Sequence, residues 1–439
     1  MAIGREKKLP IGIEDLEKIR TEGFYYVDKT DLIGGLLDIR GEVNLFTRPR
    51  RFGKTLMMDM LRAFFAVGSD GALFEGLKVA EDRELWDRYM GKYPVVSISL
   101  KGVSGGDYAE ARDMLCTTIG ETAMGFQFLE ESDRLSPREK QQYAQLVTVG
   151  PTGGAAFILS DPVLKSSLKT LTVLLEKHYG RKVILLIDEY DVPLAKAEAQ
   201  GYYDQMILLV RSLLEQALKT NKSLFFAVLT GCLQVAKESI FTGLNNLQVF
   251  SVADVRSATW FGFTDGEVRE LLAYYGLSDA YEKVKAWYDG YRFGDSEVYC
   301  PWDVLCYCSK LRADASAEPE AFWSNTSGND VVRRFVEKMG RGVAKRELES
   351  LVAGETVEKK ICQQLTYDRL YDSVDNLWSI LFATGYLTQR KRIDADCYQL
   401  AIPNREIRKI FTEHRLLQGP MPCGGREDAV TLCVRHLIT

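Results

Sequence analysis

Two short apolar runs without a single polar residue, Val183–Ile187 and Leu224–Leu229, constrain the fold more than any other feature of this 439-residue chain. A strand with one wet face alternates polar and apolar residues. A run that does not alternate fits a strand covered on both faces, as in a parallel sheet between layers of helices. Val43–Thr47 and Pro94–Leu100 read as two further strands of that sheet. The segments between them have helical period. Leu164, Leu168, Leu171, Leu174 and Leu175 occupy one stripe, and Gly180 stands where that helix would end. Tyr202–Lys219 is expected to turn Ile207, Leu208, Leu214 and Leu218 inward. The alternation runs from about Leu9 to Leu277 and predicts an α/β fold of three layers with a mostly parallel sheet. Ser104–Gly154 is more polar and is expected to form helices on the rim.

One strand leads into a chemically pointed loop. In VNLFTRPRRFGKTLMMDMLRAFF, residues 43–65, a short strand is followed by an arginine-rich turn and then by Gly53-Lys54-Thr55 opening an amphipathic helix. Leu56, Met60, Leu61 and Phe64 supply its inward face. The first amides of a helix lack internal partners and lie at its positive end, so such a junction can hold phosphate. Lys54 would reach the outer phosphates of a nucleotide and Thr55 would offer its hydroxyl to Mg²⁺. The first glycine of the usual GxxxxGK[ST] pattern is replaced by Arg48, and Pro49 drives that residue toward extended backbone. Arg48, Arg50 and Arg51, with Phe52 and the Gly53–Thr55 backbone, are the candidate phosphate ligands. The arginines have two other readings, a nucleic-acid contact and a solvated basic turn.

The apolar strand Val183–Ile187 ends in Asp188 and Glu189. A nucleotide hydrolase needs one acid to hold hydrated Mg²⁺ and another to orient and deprotonate water, which would be Asp188 and Glu189 respectively. Acids that merely cap a strand on reaching solvent are the bland alternative, and Asp191 reads as a solvated turn residue. Thr230, closing the strand after Leu224–Leu229, is either a polar sensor between the loop and the acids or a hydroxyl that satisfies the strand end.

Composition narrows the field. Lys and Arg number 56 against 61 Asp and Glu, a net charge of −5, so any anionic partner must be met by a local basic patch and not by bulk charge. Nine cysteines contain no CxxC pair and are accompanied by three histidines, which argues for reduced thiols in a cytoplasmic protein and against zinc. The basic start MAIGREKKLPIGI lacks the apolar stretch of a signal peptide, and no run approaches the roughly 18 apolar residues of a membrane span.

These residues together resemble the bacterial AAA-ATPase-like family of divergent P-loop ATPases. The likeness rests on LPIGI (Leu9–Ile13), YVDKT (Tyr26–Thr30), RPRRFGKT (Arg48–Thr55), LIDEYDVP (Leu186–Pro193), AKESIFTGLNN (Ala236–Asn246), FGFT (Phe261–Thr264), WYDGYRFG (Trp287–Gly294) and PNREIRKIF (Pro403–Phe411), and runs over nearly the whole chain. Arg48 is usual in that family. The resemblance implies an ATP-binding, Mg²⁺-dependent ATPase core over residues 1–277, with Tyr25–Lys29 near the base or ribose. A mainly helical, winged-helix-like unit over 278–413 would follow, centred on Asn376–Leu400. The irregular stretch 414–439, rich in Gly and Pro at its start, stands where many members continue into a nuclease-like domain; no nuclease activity is assigned, and truncation or a shifted reading frame would explain the break. Gln234 stands where the family usually has Arg, and Cys300 where it has Asn. If that Arg meets the γ-phosphate or a neighbouring subunit, Arg256 and Lys237 are the candidate substitutes. WYDGYRFG could stack bases, but aromatic residues around a DG turn more often pack beside a hairpin.

The expected activity is ATP hydrolysis, stimulated by DNA or another protein; no membrane partner and no oligomeric state is assigned. The alternatives are a non-hydrolytic nucleotide-gated interaction module, a relic of a longer ATPase–nuclease, and a DNA-binding factor that shares only the fold.

Overall fold

The computed structural model describes residues 6–150, 156–234, 241, 245–323, 343–362, 365 and 373–413. In chain order the N-terminal part contains Leu16–Thr21 (α1), Asp31–Ile39 (α2), Val43–Thr47 (β1), Lys54–Phe65 (α3), Arg83–Tyr89 (α4), Val95–Ser99 (β2), Tyr108–Met124 (α5), Pro137–Leu146 (α6), Asp161–Tyr179 (α7), Val183–Asp188 (β3), Val192–Gln200 (α8), Tyr203–Leu218 (α9), Leu224–Gly231 (β4) and Leu247–Phe250 (β5). The five strands form one parallel sheet in the order β2-β3-β4-β1-β5. All four strands expected from sequence are present. The fifth, β5, is a short edge strand on which only Phe250 is buried.

The sheet is buried as its apolar runs require: every residue of β1 and β3 is sequestered. Gly180 ends α7 in the left-handed conformation at φ 69°, returning its amide to the carbonyl of Glu176. On α9, Ile207, Leu214 and Leu218 are inward as expected, but Leu208 is 58% exposed. Its neighbours explain this: Met206, Val210, Leu213 and Ala217 define the buried side, and at about 100° per residue position 208 falls on the opposite one.

After the sheet come Asp265–Tyr274 (α10), Tyr281–Tyr288 (α11), the hairpin Tyr291–Phe293 (β6) and Ser296–Val298 (β7), and Pro301–Ala313 (α12). The WYDGYRFG segment is thus the end of a helix running into a hairpin. A separate apolar cluster, Phe263 to Ala317, binds α10, α11 and α12 together and receives Leu9, Ile11, Tyr25 and Val27 from the N-terminus. The boundary expected at 277 therefore falls between two helices of one cluster.

The last part adds a small sheet to its helices. Strands Val357–Lys360 (β8), Thr388–Arg392 (β9) and Cys397–Ala401 (β10) form an antiparallel sheet in the order β8-β10-β9, joined by the helices Val343–Ala353, Val374–Ala383 and Arg405–Glu413. This unit packs on the hairpin and the loop after β1. The amide of Arg292 donates to Thr388 Oγ1 at 2.8 Å, and Gln389 Nε2 to the carbonyl of Gly294 at 2.9 Å. A Cβ on Gly385 would lie 2.9 Å from Pro49. The stretch 414–439 and Lys237 lie outside the described residues.

Candidate functional site

In a parallel sheet the carboxyl ends of the strands share one edge, and ligands gather there. Here that edge brings together the loop after β1, the acids after β3 and the end of β4. Because β4 lies between β1 and β3, the end of β4 brings Thr230 to the same edge as the loop after β1 and the acid pair.

The loop reaches the helix through two left-handed residues, Arg51 at φ 71° and Gly53 at φ 83°. Glycine accepts that conformation freely; for arginine it is strained and marks a constrained turn. Gly53 caps α3 without any side-chain hydrogen bond, which leaves the first-turn amides available to an anion. Lys54 is buried, and its Nζ donates to the carbonyls of Arg48 and Pro49, each at 3.2 Å. It also lies 3.7 Å from Glu189 Oε1 and 3.8 Å from Cys232 Sγ. Burial alone would lower the Lys54 ammonium, but Cys232 and the carboxylates of Glu189, Asp188 and Asp191 hold it above its ordinary value.

Asp188 is the hub of the acidic side. Its Oδ2 accepts from Thr55 Oγ1 at 2.9 Å, and its Oδ1 accepts a short hydrogen bond from Thr230 Oγ1. Burial pushes its carboxyl above the usual range, with the two threonine hydroxyls opposing. Thr230 Oγ1 also accepts from the amide of Glu189 at 3.3 Å. Glu189 itself sits at φ 53°, a second strained non-glycine residue, in the turn that aims its carboxylate at Lys54. Asp191, expected in solvent, is buried at the start of α8; its Oδ2 accepts from the amides of Cys232 and Leu233 at 3.0 and 2.9 Å. Burial, and then the charge of Glu189, raise it to about 6.

Arg48 is placed differently from its expected role. Its guanidinium is fully buried on the sheet side of the loop, donating to the carbonyls of Thr47 (2.9 Å), Phe250 (2.7 Å) and Ser257 (3.0 Å) and to Ser257 Oγ (2.8 Å). With these partners it ties β1 to β5, and we remove it from the phosphate ligands. Arg51 stacks on Trp302, its guanidinium carbon 4.0 Å from the ring centre. Phe52 turns away from solvent and packs on Tyr291 and Phe293, each ring centre 5.0 Å away. Arg50 is exposed at the mouth of the site. Arg256 is bound to Asp254 at 2.6 Å and lies over Phe250.

A cavity of about 430 Å³ opens from Gly53, Lys54 and Thr55 between the N-terminal segment and the Trp260 and Trp302 region. Tyr25, Tyr26 and Lys29 line it, alongside Glu189. Lys29 Nζ is held by Glu267 (2.6 Å) and the carbonyl of Thr259 (3.0 Å). Such a space has the size of a small-ligand pocket. The oxygens of Thr55 and Asp188 are the hard donors Mg²⁺ prefers, and that ion usually keeps several waters and needs few protein ligands.

The parallel sheet, the helix-opening Gly-Lys-Thr and the paired acids are consistent with a P-loop-like core. A family model described as Predicted AAA-ATPase matches residues 10–241, more than half of the chain, which therefore belongs to that AAA-ATPase-like family. A protein of Azotobacter chroococcum mcd 1 named "Uncharacterized protein in vnfD 5'region" is similar to it, with 29% identity over 426 residues covering 94% of this chain and 70% of the relative. Among the described residues, no helix is long and apolar enough to cross a membrane.

Proposed function

We propose that the chain binds ATP with Mg²⁺ and hydrolyses it. The single observation that carries this reading is the joining of Thr55, Asp188 and Thr230 by hydrogen bonds, with Glu189 turned toward Lys54. Lys54 would exchange the carbonyls of Arg48 and Pro49 for the β- and γ-phosphates, with the amides at the start of α3 beside it. Thr55 and Asp188 would hold Mg²⁺, which supplies positive charge to offset that of the phosphates. Glu189, released from Lys54, would orient the attacking water and accept its proton. Tyr25 and Tyr26 would flank the base. We further propose that the β8-β10-β9 sheet with the Val374–Ala383 helix acts as a winged-helix-like unit that responds to the nucleotide, with DNA or another protein as stimulator.

Phosphate release by the purified chain tests this. Glu189→Gln should retain ATP binding and lose about a hundredfold or more in turnover, the scale of losing a general base; unchanged turnover would exclude its role. A non-hydrolytic gate is the second reading, favoured by Gln234 at the position where the resemblance places an arginine. Binding without release, with and without DNA, would support it.

A further inference from the structure

The residues that follow the acid pair make contacts that ATP binding and hydrolysis, as proposed above, do not use. Beyond β4 the chain crosses the end of β3 as the loop 231–234. Asp191 Oδ2 accepts both the Cys232 and the Leu233 amide, at 3.0 and 2.9 Å. Tyr190, fully buried, donates its hydroxyl to the carbonyl of Leu233 at 2.7 Å and its amide to the carbonyl of Thr230 at 3.0 Å. The fit leaves no room for a side chain: a Cβ on Gly231 would lie 2.7 Å from both Asp191 Oδ1 and the Tyr190 ring. The loop is therefore held from two sides by the pair that succeeds Asp188 and Glu189.

Its outward contacts run in two directions. Toward the nucleotide site, Cys232 Sγ is 3.8 Å from Lys54 Nζ. Toward the C-terminal unit, the carbonyl of Gln234 accepts from the amide of Leu365 at 3.3 Å. Leu233 and Gln234 also share a small cavity with Ile361, Ser379 and Phe382. A buried carboxylate is a poor way to gain stability, since a well-packed apolar residue commonly does as well. What it supplies is a defined geometry, here by taking two consecutive amides on one oxygen.

We propose that Tyr190 and Asp191 form a positioning latch that fixes the 231–234 loop beside Lys54 and links the nucleotide site to the C-terminal unit. The latch rests on the ATPase reading for its effect on turnover, but its geometry can be tested separately. Neither Asp191 nor Tyr190 lines the cavity beside Lys54, so both act through the loop.

The experiment compares the full chain with Asp191→Ala, Asp191→Asn, Tyr190→Phe and Gly231→Ala. It measures ATP turnover, KM for ATP, and the rate at which iodoacetamide alkylates Cys232, read on the Cys232 peptide by mass spectrometry. Asp191→Ala should lower kcat about tenfold to a hundredfold, the scale of displacing a group that supports a site, with KM changed by less than about threefold. Cys232 alkylation should rise about tenfold as the loop opens locally. Asp191→Asn should restore most of both, because its carbonyl oxygen still accepts the two amides. Gly231→Ala should reproduce the alanine phenotype from the opposite side, and Tyr190→Phe, the mildest change, should give a smaller effect in the same direction. The latch is overturned if Asp191→Ala matches the wild type in kcat and alkylation, or if Asn is no better than Ala. Absent turnover in the wild type, with alkylation still following the Ala–Asn pattern, would refute the ATPase reading and keep the latch.

Discussion

The two ends of the loop between β1 and α3 carry one buried cation each, and they are buried for opposite reasons. Arg48 closes on backbone carbonyls of β1, β5 and the following turn, and it does not line the cavity beside Lys54. Lys54 is held by carbonyls of its own loop and by Glu189, on the wall of the cavity of about 430 Å³. Burial of a charge is thus not by itself a mark of function. The mark is whether its partners can be exchanged for a ligand without opening the fold.

The comparison can be broken from the Arg48 side. Arg48→Ala should lower stability by about 3–5 kcal/mol, because it leaves buried carbonyls of Phe250 and Ser257 without donors and opens a void against Phe261 and Phe293. Denaturant unfolding measures this. A loss of nucleotide affinity at unchanged stability would instead return Arg48 to the ligands.

A smaller effect sharpens the same distinction in a buried acid behind the cavity wall formed by Pro301, Trp302 and Leu305. Asp303, buried beside Glu406 and Cys300, is raised to about 6 by loss of solvent. Burial and Asp303 likewise push Glu406 upward, while its Oε1 accepts from the amide of Trp323 at 2.9 Å. An ordinary aspartate titrates near about 3.9 when unfolded. Between about 4 and 6 the folded form therefore holds the extra proton, so Asp303 makes stability fall as pH rises through that window and level off above it. Asp303→Asn should flatten this part of the curve of unfolding free energy against pH by up to about 3 kcal/mol. An undiminished slope would show that another group carries it.

The parallel sheet was legible because uninterrupted apolar runs such as Val183–Ile187 fit few other environments, and Gly53-Lys54-Thr55 was legible because strand, loop and helix follow in the required order. β5 was not, since an edge strand of four residues with Gln248 in it leaves almost no pattern. The roles of Arg48 and Asp191 depend on which way a side chain leaves the backbone. For Arg48 there was a signal: the residue before Pro49 is extended, so it continues β1 and shares a face with Phe46, whose ring stacks on Phe250. For Asp191 the signal was weaker, an acid standing directly before a Val-Pro helix start. The C-terminal strands were hidden because β8 and β9 bury few residues and carry charged ones, while β10, though half-buried, is only five residues long.

The central claim is that Gly53–Thr55 holds the phosphates of a nucleotide through Lys54. Equilibrium binding of labelled ATP, with Mg²⁺, to the wild type and to Lys54→Ala tests it most directly. We expect at least about a hundredfold weaker binding by the variant, the scale of losing a charged hydrogen bond in a buried site, with a far-ultraviolet spectrum unchanged from the wild type. Equal affinity of the two proteins would contradict the account.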